Sequence, residues 1–497
     1  MNSNKYLKIV KKYSKVIIYG AGIYGNRVYE VLQNSGMAEN VICFAITGNG
    51  NAKCKEIPVK CIYDLKNEYK DALFLLAVGE KNMKEIRQVI KKLKIKHVMD
   101  ARKLFLDSFQ QGELKEWISN YQKKKYVKRE AVNKNRQNEL KAAHITYCIA
   151  NNAGDTVLSQ CVRRFFDFKY WKIISVAEPV TDIVIEEINK NDMLIIGGGG
   201  LFLPDTNKND ISGWQWAVNE EQLNNIEIPI VIFSVGYNYF KGQDNSKLFI
   251  SALNNIVEKA AFVGLRNTGS VLAIREILRE DLRSKVIYQP CTTTLISKLY
   301  NTNKIQNTKK IGFNVAFDRE ERRFGNRKEE ILTQIAKTAR IIEQRGYKIK
   351  YIAHCDEDLR FLKYLDLQKV TYSVINLTNC LPKKIIACYE KIDLMIGMRG
   401  HAQMIPFGIG CRIISLSTHD KMRWFLEDIN ATEWGVDLTK NIDGISDAIV
   451  NLFVDINEKN TNNTDIKLRH AQERLWNISC QNYEAIKQSV ALSKKGK

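Results

Sequence analysis

No apolar run in the 497-residue chain reaches the ~18 residues needed to cross a bilayer, so no spanning segment is expected. Residues 1–15 hold several lysines but no apolar stretch before a small-residue cleavage site, so no secretory leader is expected. Proline is scarce, at 7 residues, which confines irregular chain to short joins. The eleven cysteines are scattered, without a CxxC pair or a Cys/His cluster at metal spacing. Such a set reads as reduced thiols packed as small core residues, which implies a cytoplasmic protein with no metal centre. No fixed-period repeat and no RNA- or DNA-binding signature is visible, so a solenoid and a nucleic-acid partner are not expected.

What is present is basic charge and buried-strand pattern. The formal charge of +21 suits an anionic partner, whether phosphorylated substrate or anionic membrane face, and equally suits a solvated lysine-rich surface. Short, wholly apolar runs alternate with helix-length amphipathic segments along the whole chain. That pattern predicts α/β architecture with parallel sheets covered on both faces.

The runs fall into three series. KVIIY (15–19), VICFAIT (41–47) and ALFLLAV (72–78) predict a small Rossmann-like domain over 1–115. A strongly basic segment, 116–141, reads as a linker. HITYCIA (144–150), DMLIIGGGG (192–200), PIVIFSVG (229–236) and AFVGLR (261–266) lie in a first lobe, 142–305. KKIGFNVA (309–316), KIKYIAH (348–354), DLMIGM (393–398) and CRIISLS (411–417) lie in a second, 306–456, before a helical tail at 457–497. Two such lobes place a cleft between the carboxyl ends of their strands, where α/β ligands bind.

The N-terminal GAGIYG, with Gly20, Gly22 and Gly25, follows a strand and opens a helix, as a dinucleotide fingerprint requires. The acidic residue expected at the end of the second strand is missing: Thr47 stands there and the next acid is Glu56. NAD, another nucleotide or phosphate ligand, and a purely structural module all remain open readings. An oxidoreductase built on this loop lacks both the acid and an evident hydride-transfer site.

Four features sit at strand ends of the body. NNAGD (151–155) follows the first strand, with Asp155 at or near the N-cap of the next helix. GGGGLF (197–202) bares backbone N–H groups at Gly198, Gly199 and Gly200, which suits an anion or a close-lying sugar. Arg266 ends the strand AFVGLR, ahead of Asn267 and Ser270, and suits a carboxylate or phosphate. MRGHAQMIPFG (398–408) sets Arg399 and His401 at a helix opening, and Asp420 and Lys421 follow the adjacent strand.

In this order the motifs resemble the polysaccharide pyruvyl transferase family over about residues 142–435. The resemblance implies a GT-B-like pair of Rossmann-type lobes. It also implies phosphoenolpyruvate as donor, no separate cofactor or metal, and a pyruvate ketal formed on a sugar of a bacterial surface polysaccharide or its precursor. By carry-over, Arg266, Arg399 and His401 match the family's donor-binding and catalytic positions, and Lys421 its downstream lysine; from the residues themselves, Gly198, Gly199 and Gly200 suit ligand binding, and His401 and then Asp155 are the candidates for proton exchange. His401 is expected to titrate near its ordinary value, and Arg266 and Arg399 to clamp the donor from opposite lobes. The chain departs from the family pattern at Gln289, where Asp-Pro is usual, and at SVGYNYF (234–240). The competing readings are a GT-B glycosyltransferase using a nucleotide sugar, and a non-catalytic member of a polysaccharide cluster. The first lacks its glutamate pair and His-Gly-Gly loop here; the second leaves four retained site residues unexplained. A lipid-linked acceptor would add peripheral contact with the inner membrane face.

Overall fold

A computed structural model describes residues 5–48, 53–54, 56–65, 71–78, 80–104, 140–148, 151–240, 242–440 and 444–495. The chain forms two compact units, 1–127 and 128–497. The expected basic linker lies outside the described residues except for Leu140 and Lys141.

The first unit holds six strands: β1 (Val16–Tyr19), β2 (Val41–Ile46), β3 (Lys53–Cys54), β4 (Ile57–Cys61), β5 (Leu73–Leu76) and β6 (Val98–Asp100). Their order is β3-β4-β2-β1-β5-β6. All pairs are parallel except β3–β4, a short antiparallel edge where Lys53 faces Pro58. The GAGIYG loop leaves β1 and enters the helix Ile23–Asn34. Gly25 is required by packing, since a Cβ there would stand 1.7 Å from the Gly20 carbonyl oxygen. Gly20 (φ +120°) has Ala77 O at 2.4 Å from the same test position, whereas Gly22 has open space around it. Two of the three glycines are thus accounted for by close packing within the unit alone.

The second unit holds two six-stranded sheets, each parallel throughout. The first lobe uses β7 (Lys141–Thr146), β8 (Tyr170–Ser175), β9 (Met193–Phe202), β10 (Ile230–Tyr237), β11 (Phe262–Leu265) and β12 (Val286–Tyr288), in the order β12-β11-β10-β9-β7-β8. The second uses β13 (Lys310–Asn314), β14 (Lys348–Ala353), β15 (Tyr372–Asn376), β16 (Leu394–Gly397), β17 (Arg412–Ser417) and β18 (Gly435–Asp437), in the order β15-β14-β13-β16-β17-β18. Central strands such as β10 and β16 are buried at every position, the signature of a sheet covered on both faces.

The glycine run corrects one expectation. Gly197–Gly200 do not form a bare loop after a strand; they continue β9, with Gly199 paired to Val235 of β10. Gly198 (φ +67°) faces Leu158 and Val162 of the helix Ala153–Phe166.

Two elements knit the lobes together. The helix Ala153–Phe166 leaves β7 of the first lobe, yet Ala153, Val157, Leu158 and Cys161 pack in the second lobe's core. The C-terminal helix Thr461–Lys495 is roughly 50 Å long at 1.5 Å per residue. Leu468, Ala471 and Leu475 pack on the second lobe, and Ile486 and Val490 on the first. Gln289 belongs to this seam: buried, it is bonded to Ser479 and Asn482 of that helix, at 3.1 and 2.9 Å.

Candidate active site

Between the strand ends of the two lobes lies a cavity of about 320 Å³. Asp155, Gly199, Gly200 and Arg266 reach it from the first lobe; Arg399, His401 and Lys421 reach it from the second. Gly198 does not line it.

Asp155 is not the helix cap. Asn152 takes that role, its Oδ1 accepting from Gly154 N at 2.9 Å. Asp155 stands one turn position further in, with its carboxylate free of the cap and beside Gly199. Burial raises its pKa, and Arg266, Lys421 and Arg399 only partly offset that. Gly154 in turn makes room for His401: a Cβ there would stand 2.3 Å from the imidazole Nδ1.

His401 departs from the expected titration. Burial, with Arg266, His354 and Lys421 nearby, pushes its pKa well below the ordinary histidine value. The ring is therefore neutral at neutral pH in the free site, with Nε2 3.8 Å from Cys291 Sγ.

Arg266 is buried, and its Nη2 donates to Asn238 Oδ1 at 2.6 Å. Two missing side chains create its berth. A Cβ at Gly236 would meet Arg266 Nε at 2.2 Å, and one at Gly200 would meet Asn238 Nδ2 at 1.6 Å. The glycines therefore serve the cation at least as much as they serve a ligand. Asn267 and Ser270 are architectural: Asn267 Oδ1 accepts from Ser270 N at 2.7 Å, and Ser270 Oγ accepts from Tyr237 N at 3.1 Å.

Arg399 corrects the expected two-arginine clamp. Its Nε and Nη2 bind the fully buried Asp358, at 2.9 and 2.6 Å, and its Nη1 binds Asp318 at 2.8 Å. Burial opposes its charge, but the two carboxylates hold it charged well above the usual range. Each nitrogen already has an anionic partner, so Arg399 has little unopposed charge to offer a ligand.

Asp318 joins a larger array that the sequence reading missed. It also pairs with Arg323 at 2.8 Å and Arg319 at 3.2 Å, while Arg319 reaches across the cleft to Asp205 at 2.6 Å. Asp318 and Arg319 follow β13, and Asp358 follows β14. The signal was therefore the one used for Arg266, polar residues just past the carboxyl end of an apolar strand.

Within this wall Arg266 and Lys421 are the cations that make no ion pair with a carboxylate among the described residues. Burial, then Arg323 and Arg266, lower the Lys421 pKa to about 7. Among the described residues no group of three or more His, Cys, Asp and Glu side chains is placed to hold a metal ion.

Two Rossmann-type lobes facing each other across a cationic cavity at their strand ends define a GT-B-like transferase, preceded by an extra N-terminal unit. The chain belongs to the polysaccharide pyruvyl transferase family, whose model matches residues 55–420. Its activity is phosphoenolpyruvate-dependent transfer of a pyruvyl group to a sugar of a polysaccharide or its precursor. Curated protein sequences show no match to the chain. Among solved structures it is similar to a glycosyltransferase from Rickettsia africae, at 11% identity over 72% of this chain and 98% of that one, TM-score 0.45. It is also similar to a putative UDP-N-acetylglucosamine 2-epimerase from Listeria monocytogenes, at 11% identity over 70% and 97%, TM-score 0.43.

Proposed function

We propose that phosphoenolpyruvate lies between Arg266 and Lys421, with Asp155 and His401 moving the protons of ketal formation. One observation carries this reading: two cations without carboxylate ion-pair partners among the described residues, one from each lobe, line the same cavity as a carboxylate of raised pKa and a neutral imidazole. Arg399 is a positioning residue, held by Asp358 and Asp318, that fixes the helix opening from which His401 projects.

The chemistry then divides among the side chains. Arg266 and Lys421 meet the donor's carboxylate and phosphate and orient C2. Asp155, its proton affinity raised by burial, accepts the proton of the first sugar hydroxyl as that oxygen bonds to C2. Once the donor is bound, negative charge building at C3 as the sugar oxygen adds to C2 raises the proton affinity of His401, which passes a solvent proton to C3 and so makes the methyl group. Phosphate departs toward Lys421, and a second hydroxyl of the same sugar closes the ketal at C2, its proton leaving with phosphate.

The pH dependence of donor affinity tests this placement. Lys421 is half-protonated near pH 7 in the free site, and an anionic donor favours its charged form. Above pH 7 each donor bound must take up a proton, so affinity should fall about tenfold per pH unit. Lys421→Met should bind phosphoenolpyruvate weakly and without that slope; a native slope surviving the substitution moves the titration elsewhere. The sign is opposite for the fold. Unfolded lysine keeps its proton to about pH 10.4, so over the window above pH 7 this residue makes stability rise with pH.

The finer partner reading is a lipid-linked acceptor, with peripheral contact at an anionic membrane face of the cytoplasm. The net charge of +21 supports that contact, and eleven scattered cysteines without a CxxC pair support a reducing compartment. No helix among the described residues is long and apolar enough to cross a membrane. For the N-terminal unit, packing demands on Gly20 and Gly25 favour the structural reading over NAD.

A further inference from the structure

Gln215 is 5% exposed, lines the cavity and leaves a hydrogen-bond acceptor unused. Its Nε2 donates to Gly200 O at 3.0 Å, which fixes the amide orientation and leaves Oε1 without a protein donor among the described residues. A buried carbonyl oxygen without a donor is uncommon in native proteins, and at a cavity wall it marks a place for a ligand donor.

The segment that presents Gln215 is built to hold it still. Asn207 Nδ2 binds Gln215 O at 2.6 Å, and Asn209 Nδ2 binds Trp214 O at 2.6 Å. Ser212 Oγ binds Trp216 O at 2.7 Å, and both tryptophan rings are buried. Thr206, on the same segment, is bonded to Arg319 of the other lobe at 3.1 Å. A carbonyl oxygen repels the phosphate and carboxylate of the donor but accepts readily from a hydroxyl. The wall at Gln215 is therefore the acceptor side.

Asp155 lies on the same floor: its carboxylate is next to Gly199, and Gln215 is bonded to Gly200. Two hydrogen-bond-accepting groups thus stand beside Gly199 and Gly200, and at Gly199, where a Cβ would meet nothing closer than 3.6 Å, a sugar ring can approach the backbone closely. Ketal formation consumes two hydroxyls of one sugar, and two acceptors match that demand. We propose that Gln215 Oε1 and the Asp155 carboxylate together bind the two acceptor hydroxyls that become the ketal oxygens. This inference rests on the pyruvyl-transfer reading of the cavity.

The test uses the full-length protein, with a mixture of p-nitrophenyl hexosides followed by saturation-transfer NMR and phosphoenolpyruvate followed by thermal shift. Gln215→Met should weaken hexoside binding about tenfold or more, because the hydroxyl loses its buried partner, while the donor-induced shift persists. If the methionine variant does not fold, Gln215→Asn, whose shorter side chain withdraws the amide, carries the same expectation. Equal hexoside binding by the folded methionine or asparagine variant overturns the inference. So does the absence of hexoside binding to the native protein when phosphoenolpyruvate binds. Absence of a donor shift in the native protein overturns the donor reading itself.

Discussion

Replacing Arg399 with methionine is expected to destabilise the protein by about 3–5 kcal/mol, the usual result of stranding a buried charge. Asp358 is fully buried and receives both Nε and Nη2 of Arg399, and it also binds Asn314 Nδ2 at 3.0 Å and His354 N at 3.0 Å. Without the guanidinium, the carboxylate must either stay charged in an apolar surround or take up a proton. Chemical denaturation of Arg399→Met should show the loss directly. The double variant Arg399→Met/Asp358→Asn should recover much of it, since the amide removes the stranded charge while keeping most of the hydrogen bonds. A stable Arg399→Met protein that merely binds phosphoenolpyruvate poorly would return Arg399 to the donor clamp.

Arg266→Met should give the opposite pattern. Arg266 is buried, with one hydrogen bond to Asn238 and no ion pair among the described residues, so its removal breaks no salt bridge and only raises further the proton affinity of Asp155. Folding should survive, while kcat/KM for phosphoenolpyruvate falls about 10²–10³-fold, the range for loss of one fixed donor to a developing anion. Thermal stabilisation by the donor should vanish with it. Activity within a few-fold of native in a folded Arg266→Met protein would remove this residue from the site.

The contrast between the two arginines shows how far sequence reading reaches. Both end apolar strand segments, and both were legible as cleft-facing for that reason: Arg266 follows β11 and Arg399 follows β16. What differs is the neighbour supplied by another strand. Asp358 lies 41 residues before Arg399 and meets it only because β14 and β16 flank β13 in one sheet. Spacing along the chain carries no trace of that meeting. The same holds for His401, whose neutral state comes first from burial, in space left by the absent side chain of Gly154, and then from cations on both lobes. The parallel α/β sheets, the two lobes and the cluster of strand-end residues followed from periodicity and from where parallel sheets bind ligands. Charge balance and proton affinity depended on packing across the cleft, as did the role of Gln215, which sits in an irregular segment with no motif of its own.

If this cavity transfers a pyruvyl group from phosphoenolpyruvate to a sugar diol, one reaction shows it: the protein incubated with phosphoenolpyruvate and candidate sugar acceptors, with inorganic phosphate and acceptor mass followed together. The expected result is one phosphate released for each acceptor that gains a pyruvate ketal, with both signals absent in Arg266→Met. Phosphate released without any gain in acceptor mass, or acceptor modified only when a nucleotide sugar replaces phosphoenolpyruvate, would contradict it.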